Sequence, residues 1–287
     1  MIGGVVSAIM GREPFAGAPR PEVPPEVIAH LGAIPITNTM ITAWLTTIVL
    51  VVLFWIATRR MKLVPRGLQN LMEWAVEMLL NFVEGVVGKE KGRRLFPVIA
   101  TIFLFVFVNA WMGLIPGYSS IVLKETHAGE TVLVPLLRPA NTDLNVTLAL
   151  ALVSFVFVEY LGIRYQGFFR YVRKFVNLGP LLNGLRQLFT GKLRAGLGGL
   201  MMGAIEAFVG FIEALSELVR IVSFTFRLFG NMTAGEILPL LMFFLAPFVV
   251  PVFFYSFEML VGLVQALIFG GLTLAFAAVA TTESEHH

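Results

Sequence analysis

Cysteine is absent from the 287 residues, which excludes disulfide scaffolds, thiolate metal sites and cysteine nucleophiles and leaves the redox compartment open. Charge is scarce. Asp, Glu, Lys and Arg together make up 14% of the chain, against roughly 25% in a soluble domain. Tyrosine is scarce too, at 5 against 26 phenylalanines; a phenol buried in lipid needs a hydrogen-bond partner and a phenyl ring does not. The histidines are His30, His127, His286 and His287. None lies in an apolar run, and their spacing matches no metal site. No GxxxxGK[ST] phosphate loop is present, so ATP binding of that kind is not expected, nor is any cofactor. The basic residues do not interleave with aromatics, so nucleic acid is not implied, and no fixed-period repeat is visible. What remains is apolar: 57% hydrophobic residues and a mean hydropathy of +0.84. There is too little charge to coat a soluble fold of this length, and the reading is an all-α polytopic membrane protein.

The chain divides into a Pro-rich extramembrane N-terminus (1–35), one helical membrane domain (36–280) and a short tail (281–287). The N-terminus holds six of the fifteen prolines and is expected to be extended where they cluster. No basic residue precedes its short apolar opening, so a signal peptide is not expected. Uncharged or nearly uncharged spans run from about Thr39 to Ala57, Phe96 to Ile115 and Leu144 to Ile163, the last interrupted by Glu159. Asn38 or Thr37 is positioned to cap the first. Gln69 to Val87 alternates Glu73, Glu77 and Glu84 with Leu71, Trp74, Leu79 and Val83, the pattern of an amphipathic surface helix. A long apolar region from Leu197 to Ala280 breaks near Pro247 to Pro251. The total is about five embedded helices plus the surface helix.

Lys and Arg placement predicts orientation. Residues 59–94 carry eight and residues 164–194 carry seven of the 21, whereas 116–143 carries only Lys124 and Arg138. By the positive-inside rule the two basic connections are cytoplasmic, and 116–143 and the N-terminus are outside. Span parity returns the C-terminus to the cytoplasm.

Residues 203–236 carry the unusual chemistry. Glu206, Glu213, Arg220 and Arg227 recur every seven residues. Seven residues fall only about 20° short of two helical turns, so the four lie along one slowly drifting stripe. From Glu206 to Glu236 is 30 steps, about 45 Å of helix, against a hydrocarbon core of roughly 30 Å. Glu217 and Arg220, three apart, are spaced to pair. Arg227 has no acid within four residues on either side. A membrane arginine costs about 2.5–3.5 kcal/mol even on the lenient insertion scale, so it needs a carboxylate from another helix or chain. It stays cationic, which makes it a barrier to protons and an attractor for carboxylates. Glu258 and Gln265, also seven apart, share a face of the last helix. Glu258 reads as functional; Gln265 reads equally as functional or as an interhelical hydrogen-bonding residue. Glu236 follows Arg227 by nine residues, about 180° around an ideal helix.

At RLFGNMTAGE (Arg227 to Glu236) the sequence resembles the subunit a family of F-type ATP synthases, the stator half of a rotary proton channel. PANTDLNVTLALAL (Pro139 to Leu152), ITNTMITAWL (Ile36 to Leu45) and the QALIF context of Gln265 also resemble family segments. The resemblance implies that Arg227 faces the ion-binding carboxylate of a rotor ring of small membrane subunits. It implies that Asn231, Glu236, Glu258 and Gln265 line an outer half-channel, and Glu213, Ser216 and Arg220 the cytoplasmic side. It further implies a peripheral stalk partner, a bacterial inner membrane and two long, strongly tilted final helices. Two positions depart from the family pattern. Both Glu236 and Glu258 are glutamate where some members carry one histidine, and Gly113 stands where some members have an aspartate near the outer mouth. The stretch from Phe175 to Gly199 is longer than usual. A self-contained secondary transporter is the alternative reading, but neither duplicated halves nor paired discontinuous spans are visible. A purely structural subunit would need no membrane arginine without an acid nearby in sequence.

Overall fold

The computed structural model describes residues 24–32, 34–115, 117–118, 121–127, 130–175, 193–245 and 250–282. Much of the long stretch from Phe175 to Gly199 and most of the C-terminal tail lie outside the described residues. The helices are α1 (Asn38–Thr58), α2 (Leu68–Val87), α3 (Lys89–Gly113), α4 (Leu144–Gln166), α5 (Phe168–Phe175), α6 (Leu193–Leu245) and α7 (Val250–Thr282). Four of them, α1, α3, α4 and α7, are long and apolar enough to cross a bilayer, and the chain is an all-α membrane protein. Two small antiparallel hairpins stand outside that class: β1 (Val27–Leu31) with β2 (Ile34–Thr37), and β3 (Val122–His127) with β4 (Glu130–Pro135). Both sit in segments read from sequence as extended or polar connections, where backbone groups cannot rely on a helix for their hydrogen bonds.

Helix boundaries follow local chemistry. Thr37 is the α1 N-cap, its Oγ1 accepting from the Met40 amide at 3.3 Å, which decides between the two candidate caps. α3 begins at Lys89, earlier than the apolar run alone indicates, because its charged first turn is ordinary helix former. Gly88, at φ +81°, makes the turn between α2 and α3 in a region that favours glycine. α2 is amphipathic: Leu79 and Val83 are buried, while Leu71, Trp74, Met78, Phe82 and Val86 form an exposed apolar stripe suited to lipid. α6 runs unbroken for 53 residues, about 80 Å at 1.5 Å per residue, far more than the hydrocarbon core needs.

The chain forms two compact units. The first comprises residues 1–150 and 225–274. Its core includes Leu79, Val83, Ile99, Val106, Leu228 and Leu274, all at most 2% exposed. Small residues let α3 and α7 approach. A Cβ on Gly262 would lie 3.0 Å from that of Ala110, and Trp111 Nε1 donates to the Met259 carbonyl at 3.2 Å. The same unit buries a polar lattice that ties the N-terminal end of α1 to the turn before α4. Thr39 Oγ1 donates to Asp143 Oδ2 at 2.6 Å, Asn38 Nδ2 to the Pro135 carbonyl at 3.2 Å, and Asn109 Nδ2 to Thr46 Oγ1 at 2.9 Å. Asn141 Nδ2 donates to the Val106 carbonyl at 2.9 Å, and its amide donates to Asn109 Oδ1 at 3.2 Å. The segments at Ile36 and Pro139, far apart in sequence, are therefore bonded to one another.

The second unit comprises residues 151–224 and 275–287. Gly162 gives α5 its seat on α4, since a Cβ there would overlap the Tyr171 ring.

Candidate functional site

Glu236 and Glu258 both line one cavity in the first unit. It measures about 40 Å³, and its walls include Gly113, Pro139, Thr142, Met232 and Gly235. At roughly 10–15 Å³ for each water centre, the space holds about three water molecules. Glu258 is 9% exposed, and its carboxyl makes no hydrogen bond or ion pair with any described residue. It abuts the α6 backbone at Gly235, where an added Cβ would overlap the carboxyl group. Gly113 lines the same cavity, and a Cβ there would overlap the Pro139 ring. The absence of an acid at Gly113 is thus built into the wall: no side chain fits between α3 and Pro139.

Glu236 is held across the cavity wall. Arg138, from the loop before α4, donates through Nε to Glu236 Oε1 and Oε2 at 3.2 and 3.0 Å, and its Nη2 lies 2.9 Å from Oε2. Its Nη1 also donates to the Pro24 carbonyl at 3.2 Å. The Arg138 side chain is 6% exposed, against 31% for Glu236. Sequence reasoning counted Arg138 only as a loop charge. The signal available was its place one residue before PANTD.

Other expected residues fall elsewhere. Arg227 and Asn231 are exposed, and with Phe226, Gly230 and Ala234 they form one exposed stripe of α6. Leu228, Met232 and Gly235 are buried on other faces. Glu236 therefore turns inward while Arg227 turns outward, as nine residues of helix require. Gln265 is 8% exposed on α7 and hydrogen-bonds to no described residue. Neither it nor Asn231 lines the cavity.

In the second unit Glu213 is half-buried and Ser216 exposed. Arg220 pairs with Glu217 on its own helix and with Glu159 of α4, Nη2 to Oε1 at 3.4 Å. It also lies over the rings of Phe155 and Phe276, at 5.4 and 4.4 Å, so both charge and ring faces hold it. Tyr171 donates to Glu159 Oε2 at 2.5 Å. Burial and then that hydrogen bond raise the Tyr171 phenol above its ordinary range, so it stays a donor. The lone acid inside the third span, Glu159, thus anchors Arg220 and Tyr171. Arg220→Ala is expected to leave Glu159 and Glu217 as neighbouring, poorly compensated carboxylates. The yield of membrane protein extractable in folded form should fall, and Arg220→Ala combined with Glu159→Gln should recover part of it. Equal yields for wild type and the single variant would remove the structural role of this cluster.

The family model described as ATP synthase A chain matches residues 40–278. The protein named ATP synthase subunit a from Moorella thermoacetica is 30% identical over 256 residues, covering 89% of this chain and 96% of the relative. That from Helicobacter pylori is 32% identical over 253 residues, covering 87% and 93%. That from Gloeobacter violaceus is 31% identical over 281 residues, covering 98% of both. With four helices fit to cross a bilayer and a charge-bearing fifth, and with this match along nearly its whole length, the chain belongs to the ATP synthase A chain family, the subunit a of the synthase's membrane sector.

Proposed function

We propose that this chain is the proton-conducting stator of its rotary synthase. It provides two offset half-channels, and a rotor ring of small, acid-bearing membrane subunits carries each proton between them. Glu236 and Glu258 belong to the outer half-channel, with Asn231 and Gln265 farther along it; Glu213, Ser216 and Arg220 belong to the cytoplasmic side. Arg227 attracts the rotor carboxylate and blocks the direct route. A peripheral stalk subunit holds the chain against rotation. The observation that carries this reading is the division of α6 around Arg227: the permanent cation lies on an exposed stripe with Phe226, Gly230, Asn231 and Ala234, and the acid nine positions on is turned to another face, where it lines a cavity with room for water. A path through that cavity does not run straight past the barrier. Each charge crossing is worth about 2.3 kcal/mol per 100 mV, the energy that turns the rotor.

Because the chain has no cysteine, single cysteines report without background. Cysteines at Phe226 and Ala234, which flank Arg227 on the exposed stripe, are expected to crosslink to cysteines beside the rotor subunit's membrane acid in the assembled complex. In intact cells, an impermeant thiol reagent is expected to label a cysteine at Val122, on the outer side, and to reach one at Lys89 only after lysis. Absence of the rotor crosslink would overturn the stator reading, and reversed labelling would overturn the orientation.

A further inference from the structure

Two glutamates line one cavity, and the structure treats their carboxyl groups differently. Glu236 is gripped at both oxygens by the Arg138 fork. Glu258, lining the same space, makes no hydrogen bond or ion pair with any described residue and rests against bare backbone at Gly235. We infer that Arg138 is a positioning residue that holds Glu236 as a fixed anion of the cavity wall, so that proton exchange in the outer half-channel falls to Glu258. This rests on the half-channel reading above and assigns unequal roles within it.

The physical reason lies in what each proton transfer would leave behind. Guanidinium does not release its proton in proteins. A proton delivered to Glu236 would leave the buried Arg138 facing a neutral acid, and the desolvation of that cation would lose its compensation. It would also break a two-point grip whose planar geometry suits a carboxylate and not a carboxylic acid. Nothing comparable opposes a proton on Glu258. That group sits beside space for water, the medium through which a proton arrives, and no described cation competes for its oxygens. Arg138 also reaches back to the Pro24 carbonyl, so the chain leading into β1 is fastened to the same charge pair. The pair therefore fixes the cavity wall, and the second acid exchanges protons with the water inside it.

Passive proton uptake by vesicles containing the assembled membrane sector, normalised to the amount of complex, tests the assignment. Glu258→Gln is expected to reduce uptake by about tenfold or more, and by a clearly larger factor than Glu236→Gln, which removes the partner of Arg138 but leaves the exchanging acid in place. The decisive measurement is made in an Arg138→Gln background. There Glu236 is released and can itself take and give protons, so adding Glu258→Gln should cost only about twofold to threefold. A merely structural Arg138 predicts the same proportional loss from Glu258→Gln in both backgrounds, and that result would overturn the inference. If Arg138→Gln does not assemble, the two single glutamine variants decide: a loss in Glu236→Gln equal to or larger than that in Glu258→Gln overturns it. If neither single variant changes uptake, the half-channel reading itself falls, an outcome distinct from a reversal of the two roles.

Discussion

Arg227→Ala in the assembled complex is expected to abolish ATP synthesis driven by a proton gradient, while passive proton leak through the membrane sector persists or rises. The residue is permanently charged and lies on the exposed stripe of α6 with Gly230, Asn231 and Ala234. Small neighbours allow another helix to approach closely, and a cation among them offers that helix's carboxylate a partner. Alanine removes both the attraction and the barrier, so the two half-channels are no longer separated. Arg227→Lys should fail as well, although it keeps a charge. A lysine loses the planar fork, and desolvation favours release of its proton. Synthesis measured in inverted vesicles against assembled complex decides the matter. Near-normal synthesis in Arg227→Ala would remove the central assignment, and loss of assembly would recast Arg227 as a structural partner.

Gly235→Ala should nearly close the outer cavity. In an exposed helix the exchange would stabilise by up to about 1 kcal/mol. Here the new methyl would occupy the place of the Glu258 carboxyl group. Either α6 and α7 separate or the carboxyl leaves the cavity, and overpacking of this kind costs about 1–3 kcal/mol. Passive proton uptake is expected to fall by about tenfold or more. The second-site variant Glu258→Asp withdraws the carboxyl by one methylene, so Gly235→Ala with Glu258→Asp should conduct better than Gly235→Ala alone. If Gly235→Ala conducts normally, or if the shorter acid brings no recovery, the contact between Gly235 and Glu258 does not govern the path.

Much of the architecture was legible in the residues because membrane spans are local statements. Nineteen or so uncharged residues satisfy their own backbone in a helix whatever surrounds them, so α1 and α4 were readable within a few positions, while α3 begins seven residues before its apolar run. The seven-residue recurrence from Glu206 to Arg227 likewise described one side of one helix. The hairpins were not legible, since β1–β2 and β3–β4 depend on pairing between short polar segments. The choice between Thr37 and Asn38 as cap was not legible either. Asn38 is instead the first helical residue, its Oδ1 accepting from the Thr39 and Glu26 amides and its Nδ2 donating to the Pro135 carbonyl.

By itself the sequence determined the solvent this protein lives in, the approximate placing of its spans, and the incompatibility of Arg227 with lipid alone. Composition and helical period suffice for those. Tertiary structure alone decided the long-range partners. Arg138 meets Glu236 across 98 positions, and Arg220 meets Glu159 across 61; no local period encodes such distances. It also decided that Glu236 and Glu258 share one water-sized space while differing in what holds them. The reason is that a charge buried in a low-dielectric interior takes its counter-charge from whatever element packs beside it, and packing is settled only when the whole chain has folded.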